Sequence, residues 1–438
     1  MTFVKKLLHI AVICLIFFLP LQTRYIFSVG QLGQYASEYQ TVSVYGTEIL
    51  SWIVVVLGIV VHKTSLIAFL SSLTRKKKIM LASGLALLGL SVLRSVDVLL
   101  SLFTIYHWLL LVVVGLVMYQ AVREIGFRLV YAFCAQGFLQ ASLGLYQFFT
   151  QTLTGSKWFG MSTQLPQTLG VSVIENDLGR WLRAYGGFGW PTSLGMYLAV
   201  AIVASVILFV YTKNKLVRIS LLIMIPGMLA GLFVTFARGA WLATGVGLLG
   251  VFAVCVRDYT RIPLPEFRER GQDCLTLYVM LGILVVSYAG VLRPLITTRL
   301  STSTRLEQRS VSERVSQYHD AWNMLRLHPL VGVGPGAYTK YLYTIHPDRD
   351  VSQLQPVHSI YALLIAECGL PLALLVGILF VLIWRKIISG MMLALFACLS
   401  VAGLFDHWLL SMWSGLLLIA VVIGFSTVEL KKPQTQGE

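Results

Sequence analysis

The stretch VLLSLFTIYHWLLLVVVGLVMY, residues 98–119, runs for 22 residues without a charged side chain. As a helix it is long enough to cross the ~30 Å hydrocarbon core of a bilayer. Inside lipid each backbone N–H and C=O must be satisfied within its own segment, so such a run is helical. The alternation of a membrane β-strand is missing. Comparable runs recur on both sides, and spans are expected at 7–21, 45–61, 79–93, 98–119, 125–149, 192–211, 218–236, 239–256, 274–292, 357–384, 388–405 and 408–428. The whole chain is 12% charged and 57% hydrophobic. Soluble domains carry about twice that charged fraction. The chain therefore reads as an all-α polytopic membrane protein with about twelve transmembrane helices.

The first run, Leu7–Leu21, follows Lys5 and Lys6 as in a signal peptide. No small-residue cleavage site comes after it, so it reads as a retained helix. Ser65–Leu73 reads as a re-entrant or interfacial piece, and Arg257–Asp273 as a short interfacial loop. Orientation comes from Lys and Arg in the short connections. With the N-terminus inside, alternate loops hold Lys63 with Arg75–Lys78, then Arg123 and Arg128, then Lys213, Lys215 and Arg218. Arg257 to Arg270, Arg385 with Lys386, and Lys431 with Lys432 continue the series. Both termini are then cytoplasmic, and the polar tail from Lys431 onward is expected to be disordered.

This organisation divides the chain into N-terminal helices (1–149), a first extracytoplasmic loop (150–191) and central helices (192–292). A large, mainly helical extracytoplasmic loop (293–357), C-terminal helices (358–428) and a cytoplasmic tail (429–438) complete it. On this topology the outer side carries twelve arginines and two lysines, the inner side nine arginines and eleven lysines. A guanidinium fork binds phosphate bidentately, where lysine acts as a point charge. The outer arginines thus either pair with loop carboxylates and lipid headgroups or form a site for a polyphosphate or acidic glycan.

In the large loop, Ser310 and Glu313 fit a capping box. Val311, Val315, Tyr318, Trp322 and Leu325 follow at helical spacing. This predicts an amphipathic helix lying on the bundle and ending near His328, because Pro329 disfavours helical geometry before it. Gln136, Gln140 and Gln147 share one face of the fifth span, either as polar glue between helices or as the lining of a path.

Several function classes are excluded. The net charge of +15 is spread between apolar runs, not gathered into a nucleic-acid patch. Gly332-Val-Gly-Pro-Gly336 lacks the Lys-Ser/Thr of a phosphate-binding loop. The six cysteines form no Cys-x-x-Cys pair, so neither disulfides nor zinc is indicated. No acidic cluster suggests a divalent metal, and no cofactor motif appears. Phosphate chemistry here would rest on side-chain cations.

Four patches sit at expected outer helix ends. Arg183 precedes the turn Ala184–Pro191; Arg238 lies in Ala237-Arg-Gly-Ala240 between two spans with almost no loop; His328-Pro-Leu-Val-Gly-Val-Gly-Pro-Gly336 closes the amphipathic helix; and His358-Ser359 opens the tenth span. An ionisable residue at the depth of Arg238 is a functional candidate, or it snorkels to lipid phosphate. His358 carries a side chain able to accept a proton near neutral pH, or it has a structural role.

In order and spacing these patches resemble the O-antigen ligase and polymerase superfamily of bacterial envelope glycan assembly, over about residues 180–410. The family's arginine ahead of a Gly…Phe…Pro-Asn segment is matched by Arg183, with Thr192 in place of Asn. Its Ser-Arg-Gly-Ala segment is matched by Ala237–Ala240, and its His-Pro-leucine-x-Gly-x-Gly block by His328–Gly336. Arg314 and Trp322 supply the Arg…Trp pattern before it. His358, Ser359 and Gly369 follow the ligase signature, whereas Leu372 departs from its last position.

The resemblance implies a multi-pass glycosyltransferase of the bacterial cytoplasmic (inner) membrane, its site facing the periplasm or exterior. It would move a polyprenyl-pyrophosphate-linked glycan onto a glycan or lipid-core acceptor. His358 would act as base or orient the acceptor, Arg183, Arg238 and Arg314 would bind the donor pyrophosphate, and His328, Gly334 and Gly336 would shape the supporting loop. No metal or cofactor is implied; membrane lipids are partners and nucleic acid is not. A polysaccharide polymerase of the same superfamily is the close alternative. A transporter or flippase is the alternative of another class, although no internal repeat is visible.

Overall fold

The computed structural model describes residues 2–71, 73–261, 265–301, 304–387 and 390–426. The chain starts with helix α1 (Thr2–Phe18) and four short strands, β1 (Arg24–Ser28), β2 (Gln31–Leu32), β3 (Tyr35–Ala36) and β4 (Val42–Tyr45). Helices α2 (Gly46–Ser71), α3 (Arg75–Leu93), α4 (Val98–Ile125) and α5 (Phe127–Thr150) follow. Strands β5 (Val173–Asn176) and β6 (Gly179–Leu182) lead to α6 (Pro191–Tyr211), α7 (Lys215–Thr235), α8 (Arg238–Arg261) and α9 (Pro265–Val291). The last part comprises α10 (Arg293–Leu300), α11 (Arg305–Leu327), α12 (Tyr338–Ile345), α13 (Ile360–Ile387), α14 (Gly390–Phe405), α15 (Trp408–Ser411) and α16 (Trp413–Phe425).

Among the described residues eight helices are long and apolar enough to cross a membrane, and α14 and α16 are shorter apolar helices. The protein is an all-α polytopic membrane protein. Helix α6 is its axis, buried along its length and packed on α5, α7, α8 and α14. Between helices in lipid no hydrophobic effect operates, so close van der Waals packing of small residues takes its place. Gly250 of α8 meets Ala394 of α14 so closely that an added Cβ would stand 2.8 Å from the alanine methyl.

The connections differ from expectation in several places. Residues 19–45 are not a bare connection: β1 pairs with β4 and β2 with β3, both antiparallel. Residues 150–191 hold the β5–β6 hairpin, so the helical character expected of the loops belongs to α10–α12. Helix α2 runs through to Ser71 where a re-entrant piece is expected, and α8 and α9 extend into the expected interfacial loop.

Helix α11 begins at Arg305, one turn before the expected capping box, so Ser310 is inside it. Most of its apolar stripe is not packed into the bundle, although the Tyr318 hydroxyl donates to the Leu404 carbonyl at 3.4 Å. Val311, Val315, Tyr318 and Trp322 are exposed, while Glu307, Gln317, Asp320, Ala321 and Met324 are buried. The polar face turns inward because it meets arginines and a histidine there. The expected tail, 429–438, lies outside the described residues.

Candidate functional site

At the end of the bundle bearing these loops, the starts of α6 and α13 and the turn before α15 face the inner side of α11. They enclose a cavity of about 190 Å³ whose lining includes Arg183, Thr192, Arg299, Arg314, His358 and Asp406.

Arg183 leaves β6 on a loop that two glutamines of α5 hold by its backbone. The Gln147 Oε1 accepts from the Tyr185 and Gly186 amides at 3.0 and 2.8 Å, and its Nε2 donates to the Gly186 carbonyl at 2.8 Å. The Gly187 amide donates to Gln140 Oε1 at 2.7 Å. The polar stripe of α5 thus grips a loop as well as facing helices. Arg183 Nε donates to the Thr235 carbonyl at 2.7 Å, while its buried Nη2 has no hydrogen-bond partner among the described residues. Buried polar groups are nearly always paired, so an orphaned guanidinium nitrogen in a cavity wall points to an absent acceptor. Burial, with repulsion from Arg299 and Arg314, lowers the Arg183 pKa to about 9, which leaves it cationic at neutral pH.

Arg314 projects from α11 and makes no hydrogen bond or ion pair among the described residues. Burial lowers its pKa, Asp406 opposes that shift, and Arg299 adds to it. Helix α6 opens on the same cavity through Pro191, Thr192 and Ser193. Its first amides and dipole favour an anion there.

His358 stands just ahead of α13. Its Nδ1–H donates to Gln317 Oε1 at 2.9 Å, which leaves the lone pair on Nε2. Burial holds its pKa below the usual histidine value; Asp406 opposes the shift and Arg314 reinforces it. Asp406 accepts from the Trp408 amide at 2.8 Å and from Thr192. Burial raises its pKa, but His407, His358 and these donors outweigh it, and the carboxyl lies below its usual range. The His407 ring lies 5.3 Å from that of His358 and 5.6 Å from that of Tyr39. Burial takes the His407 pKa down to about 4 against the pull of Asp406. At neutral pH the cavity therefore holds a carboxylate and two neutral imidazoles opposite guanidinium cations.

Of the residues singled out from sequence, Arg183, Arg314 and His358 line one cavity. Arg238 does not. Its Nη1 donates to the Arg299 carbonyl at 2.8 Å and its Nη2 lies 3.5 Å from Glu307, which also pairs with Arg299. It braces Arg299 from behind.

His328, Gly334 and Gly336 belong to a joint beside the cavity. His328 Nε2 is 2.9 Å from the Tyr341 hydroxyl. The Val333 and Gly334 amides donate to the Ala366 and Glu367 carbonyls at 3.0 and 2.9 Å, and the Leu370 amide to Pro329 at 2.9 Å. Gly332 and Gly369 both have φ near +70 to +80°, with values of 67° and 78°, where each backbone runs against the other. Any Cβ at either position would strike main chain. The glycine block is thus a docking surface for the kink in α13.

Asp406, His407, Arg299, Gln317 and Tyr39 were not singled out from sequence. Asp406-His407 did carry a signal: two adjacent ionisable residues between apolar runs. Gln317 and Tyr39 carried none. Among the described residues no group of three or more His, Cys, Asp or Glu is arranged to hold a metal ion.

Residues 227–377 match the sequence model of the family described as O-antigen ligase. The matched stretch contains Arg238, Arg314, His328 and His358 and leaves out Arg183, Asp406 and the N-terminal strands. No curated protein matches the chain.

Proposed function

We propose, for a chain that belongs to the O-antigen ligase and polymerase superfamily, that the cavity around His358 transfers a glycan from polyprenyl pyrophosphate to an acceptor hydroxyl. A membrane enzyme of the glycan ligase or polymerase type needs a place for a leaving anion and a base for an incoming alcohol. The observation that carries the reading is the unpaired Nη2 of Arg183 with the unpaired Arg314, across one cavity from a neutral His358.

In this reading the acceptor oxygen attacks the anomeric carbon and forms the new glycosidic bond. The bond from that carbon to the pyrophosphate oxygen breaks, and the electron pair leaves with polyprenyl pyrophosphate. Charge grows on the leaving group, where fixed cations already aimed at it cost no reorganisation. Arg183, Arg314 and the start of α6 take that role; Arg299, held by Arg238 and Glu307, sets their spacing. The hydroxyl proton passes to Nε2 of His358. Asp406 then faces an imidazolium, which it stabilises, and solvent takes the proton afterwards. The cavity lies at one end of the bundle, which suits chemistry at a membrane surface better than a transporter's midplane site.

The loop-bearing end is the outer, periplasmic side on the charge bias of the short connections. Transfer by side-chain cations alone needs no divalent ion, so purified protein keeps its activity in excess EDTA. The deciding experiment compares envelope glycans of a deletion strain with its parent. Long lipid-linked chains that fail to reach their acceptor mark a ligase; single-unit glycans mark a polymerase. An unchanged profile, with unchanged polyprenyl-linked pools, sinks the reading.

A further inference from the structure

Next to the cationic cavity lies a second one of about 90 Å³, and Tyr39 and Met412 line both. Its chemistry is different. Over it, Arg24 forks onto Glu38, with Nη1–Oε1 2.6 Å and Nη2–Oε2 2.7 Å, and its guanidinium sits 5.6 Å from the Tyr45 ring centre. The charge is therefore internally paired. Phe103 and Thr104 of α4 also line it, with two indoles, Trp108 of α4 and Trp413 of α16. Both indole nitrogens, Trp108 Nε1 and Trp413 Nε1, are buried and have no hydrogen-bond partner among the described residues.

An indole N–H can only donate, so two orphaned donors on side chains that line one cavity call for acceptor oxygens. A prenyl tail would leave both unsatisfied, and a phosphate would seek the unpaired cations next door. A pyranose ring satisfies both demands of this lining: hydroxyl oxygens for the indoles, and an apolar C–H face for Tyr39, Tyr45 and Phe103. Its reducing or acceptor end would then reach the wall formed by Tyr39, whose ring lies 5.6 Å from that of His407.

We infer that this second cavity is a subsite for one neutral sugar ring of the glycan handled at His358, and so a determinant of glycan specificity. The inference rests on the transferase reading above. Its upper wall comes from the N-terminal strands, outside the family match, so that segment adapts a shared transfer site to a particular sugar. The ring belongs either to the donor glycan or to the acceptor.

The test uses full-length protein in nanodiscs, with envelope lipid extract of a deletion strain as donor and the delipidated envelope fraction as acceptor. Each is titrated in turn for wild type, Trp108→Phe, Trp413→Phe and the double variant. Each single change raises KM for one substrate ~threefold to tenfold, as expected for one neutral hydrogen bond, with kcat nearly kept. A rise in the donor arm assigns the ring to the donor, and a rise in the acceptor arm assigns it to the acceptor. Unchanged KM in both arms for a well-folded double variant overturns the subsite. If the variants fold poorly, wild-type protein is titrated with a panel of methyl pyranosides, following tryptophan fluorescence. Saturable quenching by a member supports the subsite, and a flat response to all of them overturns it. Inorganic pyrophosphate is titrated in parallel. Its failure to bind wild-type protein counts against the transferase reading, independently of the sugar result.

Discussion

The glycine joint at Gly332–Gly336 and the cavity at His358 sit side by side and are built oppositely. In the joint, the Val333, Gly334 and Leu370 amides all find carbonyls, and backbone touches backbone. In the cavity, Arg183 Nη2 and the Arg314 guanidinium find no hydrogen-bond partner among the described residues, and two histidines are held neutral beside a carboxylate. Satisfied polar groups stabilise a fold, whereas unsatisfied ones are tolerated where a ligand completes them. The contrast separates what holds this site in place from what acts in it.

The largest effect that could break the contrast is at His358. On the proposed reading His358→Ala removes the base, so transfer should fall by ~10²–10⁴-fold, the usual worth of general-base help. The melting temperature should stay close to that of wild type. A lowered melting temperature with preserved turnover per folded molecule would move His358 into the structural class.

Arg183→Ala comes next, with a loss of ~10²–10³-fold for one preorganised donor to a developing anion. Arg183→Lys recovers little if the contact is bidentate. Arg238→Ala sharpens the comparison, because Arg238 contacts Glu307 and Arg299 and does not line the cavity. It should lower thermal stability and transfer together, while Arg183→Ala lowers transfer alone.

Gly332→Ala probes the joint. Its Cβ would strike Glu367 main chain and its φ of 67° disfavours a side chain. Overpacking and strain of this kind cost ~1–3 kcal/mol each. Expression and melting temperature should fall, with activity per folded molecule retained. A stable but inactive variant would place the glycine turn in the chemistry.

The smallest effect is on pH dependence. The unfolded chain protonates His407 below its ordinary pKa of 6.5, and the folded chain does so only near 4. The folded state thus binds fewer protons in that window, and stability falls as pH drops from 6.5 towards 4. Asp406, with its pKa lowered from the ordinary 3.8, adds a further loss at still lower pH. His407→Gln should flatten the melting curve over this window. The acidic limb of transfer should lie below 6.5, since the His358 pKa is depressed too.

Much of this molecule was legible in one dimension. Spans such as residues 98–119 declare themselves because a bilayer tests each twenty-residue stretch separately, and a local apolar run is enough to pass. The exit of α11 at His328 was equally local, set by Pro329. The start of α11 was not, because Ser310 and Glu313 matched a cap that the longer helix overrode. Its apolar stripe also misled, since the buried face is the polar one that meets Arg299 and His358.

Sequence by itself determined a helical membrane bundle and the order of its arginine, glycine and histidine motifs. Only tertiary structure decided which of them share a cavity. Arg183 and Arg238 look alike as single arginines at helix ends, yet one keeps a free nitrogen in the cavity wall and the other is tied to Glu307. Asp406 and His407 join His358 because α14 packs back along α13 and brings its far end to the start of α13, although the two helices follow one another in the chain. Hydropathy is a property of neighbours in sequence. Charge pairing, orphaned donors and shifted proton affinities depend on neighbours in space, which no local pattern specifies.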